Sequence, residues 1–318
     1  MAESPAAPDT RIPMLVLGGW LGSGKTTLVN RLLAEAPGDE RIVVLVNDIG
    51  EVDVDAALIA SRTGDTVELT NGCACCTIGG SLGLALRDQV LGPNPPDRLV
   101  VEASGVAEPD RVAAYGDRRR IRPDGVVVCV DACETPSRAD DIRCGELFRR
   151  QVAAADLLVV TKADLLVGDG DGGDAARRWL ADKATAPVMT ASPATGWVAS
   201  LLCGAGGAEE PDRQIPVGPL DFPVRTATWT SPTSRAADVA AVLGQAAGDR
   251  GLLRAKGIFA DGVVHLAAGR AAVDERIPGS AAPGHLVLIG LPDWEPGALL
   301  AQLDEIPNQE PARCAPPN

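Results

Sequence analysis

Aromatic residues are scarce in this chain: Phe, Trp and Tyr make up 3% of its 318 residues, so aliphatic side chains must fill whatever core it has. Positive charge is also short. Twenty-nine Lys and Arg stand against 43 Asp and Glu, a formal net charge of -14. That balance argues against a nucleic-acid partner or an anionic membrane surface, because both need Lys and Arg. No apolar run reaches the roughly 20 residues of a membrane span, so no membrane partner is expected. The opening segment MAESPAAPDTRIP lacks a basic-then-apolar signal pattern, and the expectation is a cytoplasmic protein. Histidine occurs only as His265 and His285, so no His-rich stretch exists to gather metal. Lysine is rarer than arginine: Lys25, Lys162, Lys183 and Lys256 are the only four, against 25 Arg. A Lys that survives such a bias hints at a chemical role.

What is present is an alternation of strand-like and helix-like segments. Continuous apolar runs at 14–17, 42–46, 98–101, 125–130, 157–160 and 187–190 suit strands buried on both faces of a parallel sheet. Helices fit 26–36, 81–91 and 174–184. The pattern predicts an α/β fold: a P-loop-type parallel sheet with helices on both faces. Residues 1–12 read as a disordered lead, and 12–203 as this first domain. A Gly- and Pro-rich linker over 204–219 leads to a small α+β second domain over 220–308, before a Pro-rich tail. In the second domain strands are expected in FPVRTATWT, GIFADGVVHLAA and HLVLIG, and helices near ADVAAVLGQAA and PGALLAQLDEI. No internal repeat is found.

The first motif with chemistry is Gly19-Trp20-Leu21-Gly22-Ser23-Gly24-Lys25-Thr26, a G-x-x-x-x-G-K-[ST] loop between a strand and a helix. Gly22 and Gly24 let the backbone curl so that its N–H groups face a phosphate, and the helix starting near Lys25, Thr26 and Thr27 adds its dipole. Lys25 is expected at the β- and γ-phosphates and the Thr26 hydroxyl on Mg²⁺. In RLVVEASGVAEP, Glu102 ends a strand where an acid can hold the Mg²⁺ hydration sphere or orient the attacking water, and the Gly105 N–H can meet the γ-phosphate. Asp131, ending VVVCVD, is a rival for that acid. In LLVVTKADLL, Asp164 can accept hydrogen bonds from guanine N1–H and the 2-amino group, which adenine lacks, and the Lys162 stem can lie on the purine. Thr161 stands where Asn is usual in the Asn-Lys-x-Asp signature.

Of the eight cysteines, Cys73, Cys75 and Cys76 fall within four residues. Three thiols so close can converge on one soft cation such as Zn²⁺ or Cu⁺, and an open or exchangeable site fits them better than a closed four-ligand one. Cys129, inside an apolar strand, is expected to be buried.

Together these residues resemble the CobW-type family of P-loop GTPases and metallochaperones. GGWLGSGKTTLVNRLL is similar to the family phosphate loop. IVVLVNDIGEVDVDAALI is similar to its switch segment, with Asp48 and Ile49 replacing Glu and Phe. NGCACC matches its Cys-x-Cys-Cys signature, EASGVAEP its Glu-x-x-Gly motif, and LLRAKGIF its C-terminal Arg-x-Lys-Gly segment. The resemblance implies Mg²⁺-dependent GTP binding with slow hydrolysis to GDP. It also implies a transition-metal site in which Glu51 assists the cysteines, and delivery of zinc or another metal to a client metalloprotein. Alternatives are a P-loop ATPase or small-molecule kinase with structural cysteines, a non-catalytic nucleotide-binding module, or a maturation factor for a cobalamin or nitrile hydratase system. Oligomeric state is not legible.

Overall fold

The computed structural model describes residues 10–36, 40–46, 66–68, 78–116, 120–169, 172–191, 224–249, 251–267, 269–274 and 284–306. Seven parallel strands form the first sheet: β1 (Ile12–Gly18), β2 (Ile42–Val46), β3 (Thr66–Glu68), β4 (Arg98–Glu102), β5 (Ile121–Asp131), β6 (Leu157–Thr161) and β7 (Val188–Thr190), in the order β3-β2-β4-β1-β5-β6-β7. The sequence expects six of these. β1 begins at Ile12, two residues before the apolar run, because the Ile12 N–H donates to the Arg120 carbonyl at 2.8 Å. Residue 12 is therefore strand and not part of the lead.

Both faces of the sheet are covered, as continuous apolar strands require. On one face Leu15, Leu17, Val44, Val100 and Val159 pack against Leu28, Val29, Leu32 and Leu33 of α1 (Lys25–Glu35). On the other, Met14, Val16, Leu99, Val101 and Val128 pack with Leu82 and Leu86 of α2 (Ile78–Leu91) and Phe148 and Val152 of α5 (Gly145–Ala153). Two short helices, α3 (Pro109–Ala113) and α4 (Thr135–Ala139), and α6 (Asp174–Lys183) complete the layer. At the end of β4 remote from the phosphate loop, Arg98 bridges Glu40 at 2.9 Å and Asp124 at 2.5 Å.

Strand β1 lies between β4 and β5, and the chain runs outward from it in both directions. The carboxyl ends of strands flanking such a switch point are where open α/β sheets place ligands, and the phosphate loop follows β1 there.

A second sheet holds five antiparallel strands in the order β11-β10-β9-β12-β8: β8 (Arg225–Thr230), β9 (Leu252–Phe259), β10 (Gly262–Ala267), β11 (Arg270–Asp274) and β12 (His285–Gly290). The segment expected as one strand-like run over 257–268 is the turn of a hairpin between β9 and β10, with Gly262 opposite Phe259. Helices α7 (Ala236–Gln245) and α8 (Gly297–Asp304) cover one face, where Val239, Leu243, Leu299 and Leu303 meet Ala255, Phe259, Leu286 and Leu288. Ile258, Val263, Val287 and Ile289 on the opposite face join the apolar cluster of the first sheet. The linker and the tail lie outside the described residues. No helix among the described residues is long and apolar enough to cross a membrane.

Candidate functional site: a phosphate loop under two domains

Three glycines of the loop, Gly19, Gly22 and Gly24, have positive φ, the conformation that turns successive N–H groups to one side. At Gly19 a side chain is impossible on two counts: φ is 128°, and a Cβ would sit 2.3 Å from the Cys129 carbonyl oxygen. The loop is thus pressed onto β5. Trp20, almost fully buried, lies beneath the Arg138 guanidinium, 5.2 Å from the ring centroid.

Lys25 opens α1 and is buried. Its ammonium donates to the carbonyls of Gly19 at 2.9 Å and Trp20 at 3.2 Å, within its own loop. The Thr26 hydroxyl donates to Glu102 Oε1 at 2.8 Å, and Glu102 is itself 3% exposed. A hydroxyl and a carboxylate held together beside a phosphate loop are the hard oxygen donors that suit Mg²⁺, so the residues present fit that ion. Glu102, not Asp131, is the carboxylate hydrogen-bonded to Thr26. Asp131 instead accepts from the Lys162 ammonium at 2.7 Å.

The loop after Glu102 is clamped from both sides. A Cβ at Gly105 would fall 2.7 Å from the Leu21 nitrogen, so only glycine lets this loop lie against the phosphate loop. From α5, the fully buried Gln151 amide donates to the carbonyls of Gly105 at 3.0 Å and Ala107 at 2.9 Å. Sequence reasoning missed Gln151. Its signal is a polar residue on the apolar stripe of GELFRRQVA.

At the end of β6, the Thr161 hydroxyl donates to the Ser23 carbonyl at 2.8 Å. Thr161 therefore ties the end of β6 to the phosphate loop, even though it replaces Asn. Lys162 follows with φ 58°, the one positive-φ non-glycine among the described residues. Asp164 is exposed, in a 3₁₀ turn over Ala163–Asp169.

Gly22, Gly24, Lys25, Thr26, Thr27 and Glu102 line one cavity of about 290 Å³ together with Lys162. Its remaining lining includes Arg254, Lys256, His265 and Asp274 of the second sheet. Of these four, Arg254 and Lys256 are marked in the sequence by the Arg-x-Lys-Gly resemblance, whereas His265 and Asp274 are not. Burial holds the His265 imidazole below its ordinary pKa, with Asp274, 3.5 Å away, opposing that shift and Lys256 adding to it. Beneath the loop, burial pushes the Cys129 thiol up to about 12.

Glu51, Cys73, Cys75 and Cys76, the expected transition-metal ligands, lie outside the described residues, as does the switch segment from 47 to 59. Among the described residues no group of three His, Cys, Asp or Glu side chains gathers as a metal site.

The family model of the CobW/HypB/UreG nucleotide-binding domain matches residues 13–189. Among curated proteins, the zinc chaperone CobW of a Sinorhizobium species is 31% identical over 236 residues, 65% of this chain and 66% of that protein. The zinc chaperone YjiA of Escherichia coli K12 is 35% identical over 188 residues, 56% of this chain and 57% of that protein. The chain thus spans less than two thirds of the length of these relatives. Among solved structures, the Zn(II)-bound YjiA GTPase from E. coli is 24% identical, with a TM-score of 0.45, covering 93% of this chain and 99% of that one.

Proposed function

Because the chain belongs to the CobW/HypB/UreG family, we propose that it binds and slowly hydrolyses GTP, and that its nucleotide state governs the uptake and delivery of a transition metal, zinc foremost. The observation that carries the nucleotide half is the Thr26–Glu102 hydrogen bond of 2.8 Å beside Lys25, under a loop whose glycines all have positive φ. When bound, Mg²⁺ supplies charge neutralisation at the β- and γ-phosphate oxygens. In this reading the chain's own residues contribute as follows. Backbone N–H groups of residues 22–26 face the phosphates. Lys25 exchanges its two loop carbonyls for phosphate oxygens, a stronger charge-assisted pairing. The Thr26 hydroxyl and Glu102 hold the ion. Asp164 selects guanine through two charge-assisted hydrogen bonds.

The metal half is supported by the Cys73-Ala74-Cys75-Cys76 cluster and by the similarity to proteins named as zinc chaperones. Thiolates suit Zn²⁺ while Mg²⁺ keeps to oxygen, so two ions can be carried without competition. Glu51 is the oxygen ligand proposed to assist the thiolates, and the client is a metalloprotein.

One experiment tests both halves: equilibrium dialysis of Zn²⁺ against the chain with GDP, with a non-hydrolysable GTP analogue and with the matching ATP analogue. We expect one Zn²⁺ per chain, bound with an affinity that differs between GDP and the GTP analogue, and no such response to the ATP analogue. Zinc binding that survives replacement of all three cysteines by Ser overturns the metal reading. Equal response to the guanine and adenine analogues overturns the assignment of Asp164.

A further inference from the structure

The cavity at the phosphate loop has two walls of separate origin. One is the loop with Thr26 and Glu102. The other is a sheet more than 100 residues further along the chain, contributing Arg254, Lys256, His265 and Asp274. Strand register explains why these four sit together. Lys256 on β9 is opposite His265 on β10, and Val263 on β10 is opposite both Ile258 on β9 and Asp274 on β11. Period-two alternation then places Arg254, Lys256 and Ile258 on one face of β9. Ile258 and Val263 are buried in the cluster shared with the first sheet, so that face is the one turned toward the phosphate loop.

The charges on this lining depart from those of the whole chain. Among the described residues the lining holds four cations, Lys25, Lys162, Arg254 and Lys256, and two carboxylates, Glu102 and Asp274, with Asp131 paired to Lys162 just behind it, in a chain of net charge -14. Three of the four lysines in the sequence line this single cavity. Arg254 is 9% exposed, a depth at which a guanidinium is not serving solubility. At about 290 Å³ the cavity is smaller than the usual 300–1,000 Å³ of a whole small-molecule site, and Asp164 is not in its lining. It is therefore the phosphate end of the nucleotide site, and an excess of cations there matches the excess of anionic oxygens that a triphosphate has over a diphosphate.

We propose that Arg254 and Lys256 contact the terminal phosphate of bound GTP across the domain boundary, so that the second domain senses triphosphate against diphosphate. The inference rests on the nucleotide reading above and adds a sensor to it. Arginine and lysine differ here in kind: Arg254 offers a planar fork to two phosphate oxygens, Lys256 a point charge.

The test compares the full chain with Lys256→Gln, Arg254→Gln and Arg254→Lys. Fluorescence titration gives Kd for GDP and for a non-hydrolysable GTP analogue. We expect each Gln variant to weaken the analogue about tenfold while changing GDP by no more than about twofold, and Arg254→Lys to recover part of the loss. Should Arg254→Gln fail to fold, the half-buried Lys256→Gln decides the matter alone. Parallel weakening of both ligands, or no change in either, overturns the sensor, since a contact that merely holds the domains together cannot distinguish them. A wild-type chain that binds neither nucleotide overturns the phosphate-loop assignment itself, and the sensor with it.

Discussion

The Thr161 hydroxyl donates to the Ser23 carbonyl at 2.8 Å, joining residues 138 positions apart in sequence and fixing the end of β6, where the proposed base reader follows, to the phosphate loop. Thr161→Val keeps the shape and removes the donor. Losing this buried hydrogen bond is expected to lower stability by about 1 kcal/mol and to weaken GTP several-fold, because the two ends of the site are no longer held at one spacing. Urea denaturation and nucleotide titration check the two effects. Unchanged GTP affinity would mean that the tie is structural only.

Glu102→Gln preserves volume and one acceptor oxygen while deleting the charge. If Glu102 helps hold Mg²⁺, Mg²⁺-dependent GTP turnover is expected to fall about 10–100-fold, with GDP affinity in the absence of Mg²⁺ nearly unchanged. A loss that excess Mg²⁺ does not alleviate would instead point to orientation of the attacking water.

Cys129 is fully buried, which pushes its thiol pKa up to about 12, so it is almost wholly protonated at pH 8. The thiolate is the reactive form. Iodoacetamide at pH 8 is expected to leave Cys129 unmodified in the folded chain and to label it once urea unfolds the protein. Peptide mapping by mass spectrometry reads this directly. Labelling under native conditions would mean that β5 opens readily.

Arg98 serves two carboxylates, Glu40 and Asp124, with little solvent contact. Arg98→Ala strands the buried Asp124 with only Arg122, 2.7 Å away, and is expected to cost about 3 kcal/mol in urea denaturation. The substitution lies at the far end of β4 from Glu102, so nucleotide affinity at low urea should be retained. Loss of affinity without loss of stability would contradict this division of labour.

Most of the first sheet was legible because strands buried on both faces are written as unbroken apolar runs. What escaped did so for physical reasons. Strand β3 is three residues long, too short for any periodicity. In α5 the buried stripe of Leu147, Phe148 and Val152 is interrupted by Gln151, whose amide serves a neighbouring loop. Pro109 and Pro136 sit in the first turns of five-residue helices that resemble turns. At the edge of its sheet, β11 exposes Arg270, Val273 and Asp274, so it carries no alternation. The phosphate loop, Glu102 and Thr161 could be read because each motif is contiguous. His265 and Asp274 could not, since only strand pairing brings them beside Arg254 and Lys256. The rarity of lysine and the Arg254-Ala255-Lys256-Gly257 segment were the clues in the sequence that pointed to that wall.

The missing Cβ at Gly105 has a mechanical consequence. With the Leu21 nitrogen 2.7 Å from where that atom would be, and with the Cys129 carbonyl similarly crowding Gly19, any side chain at either position would have to push two loops apart, so the spacing of this floor is set by two missing methyl groups.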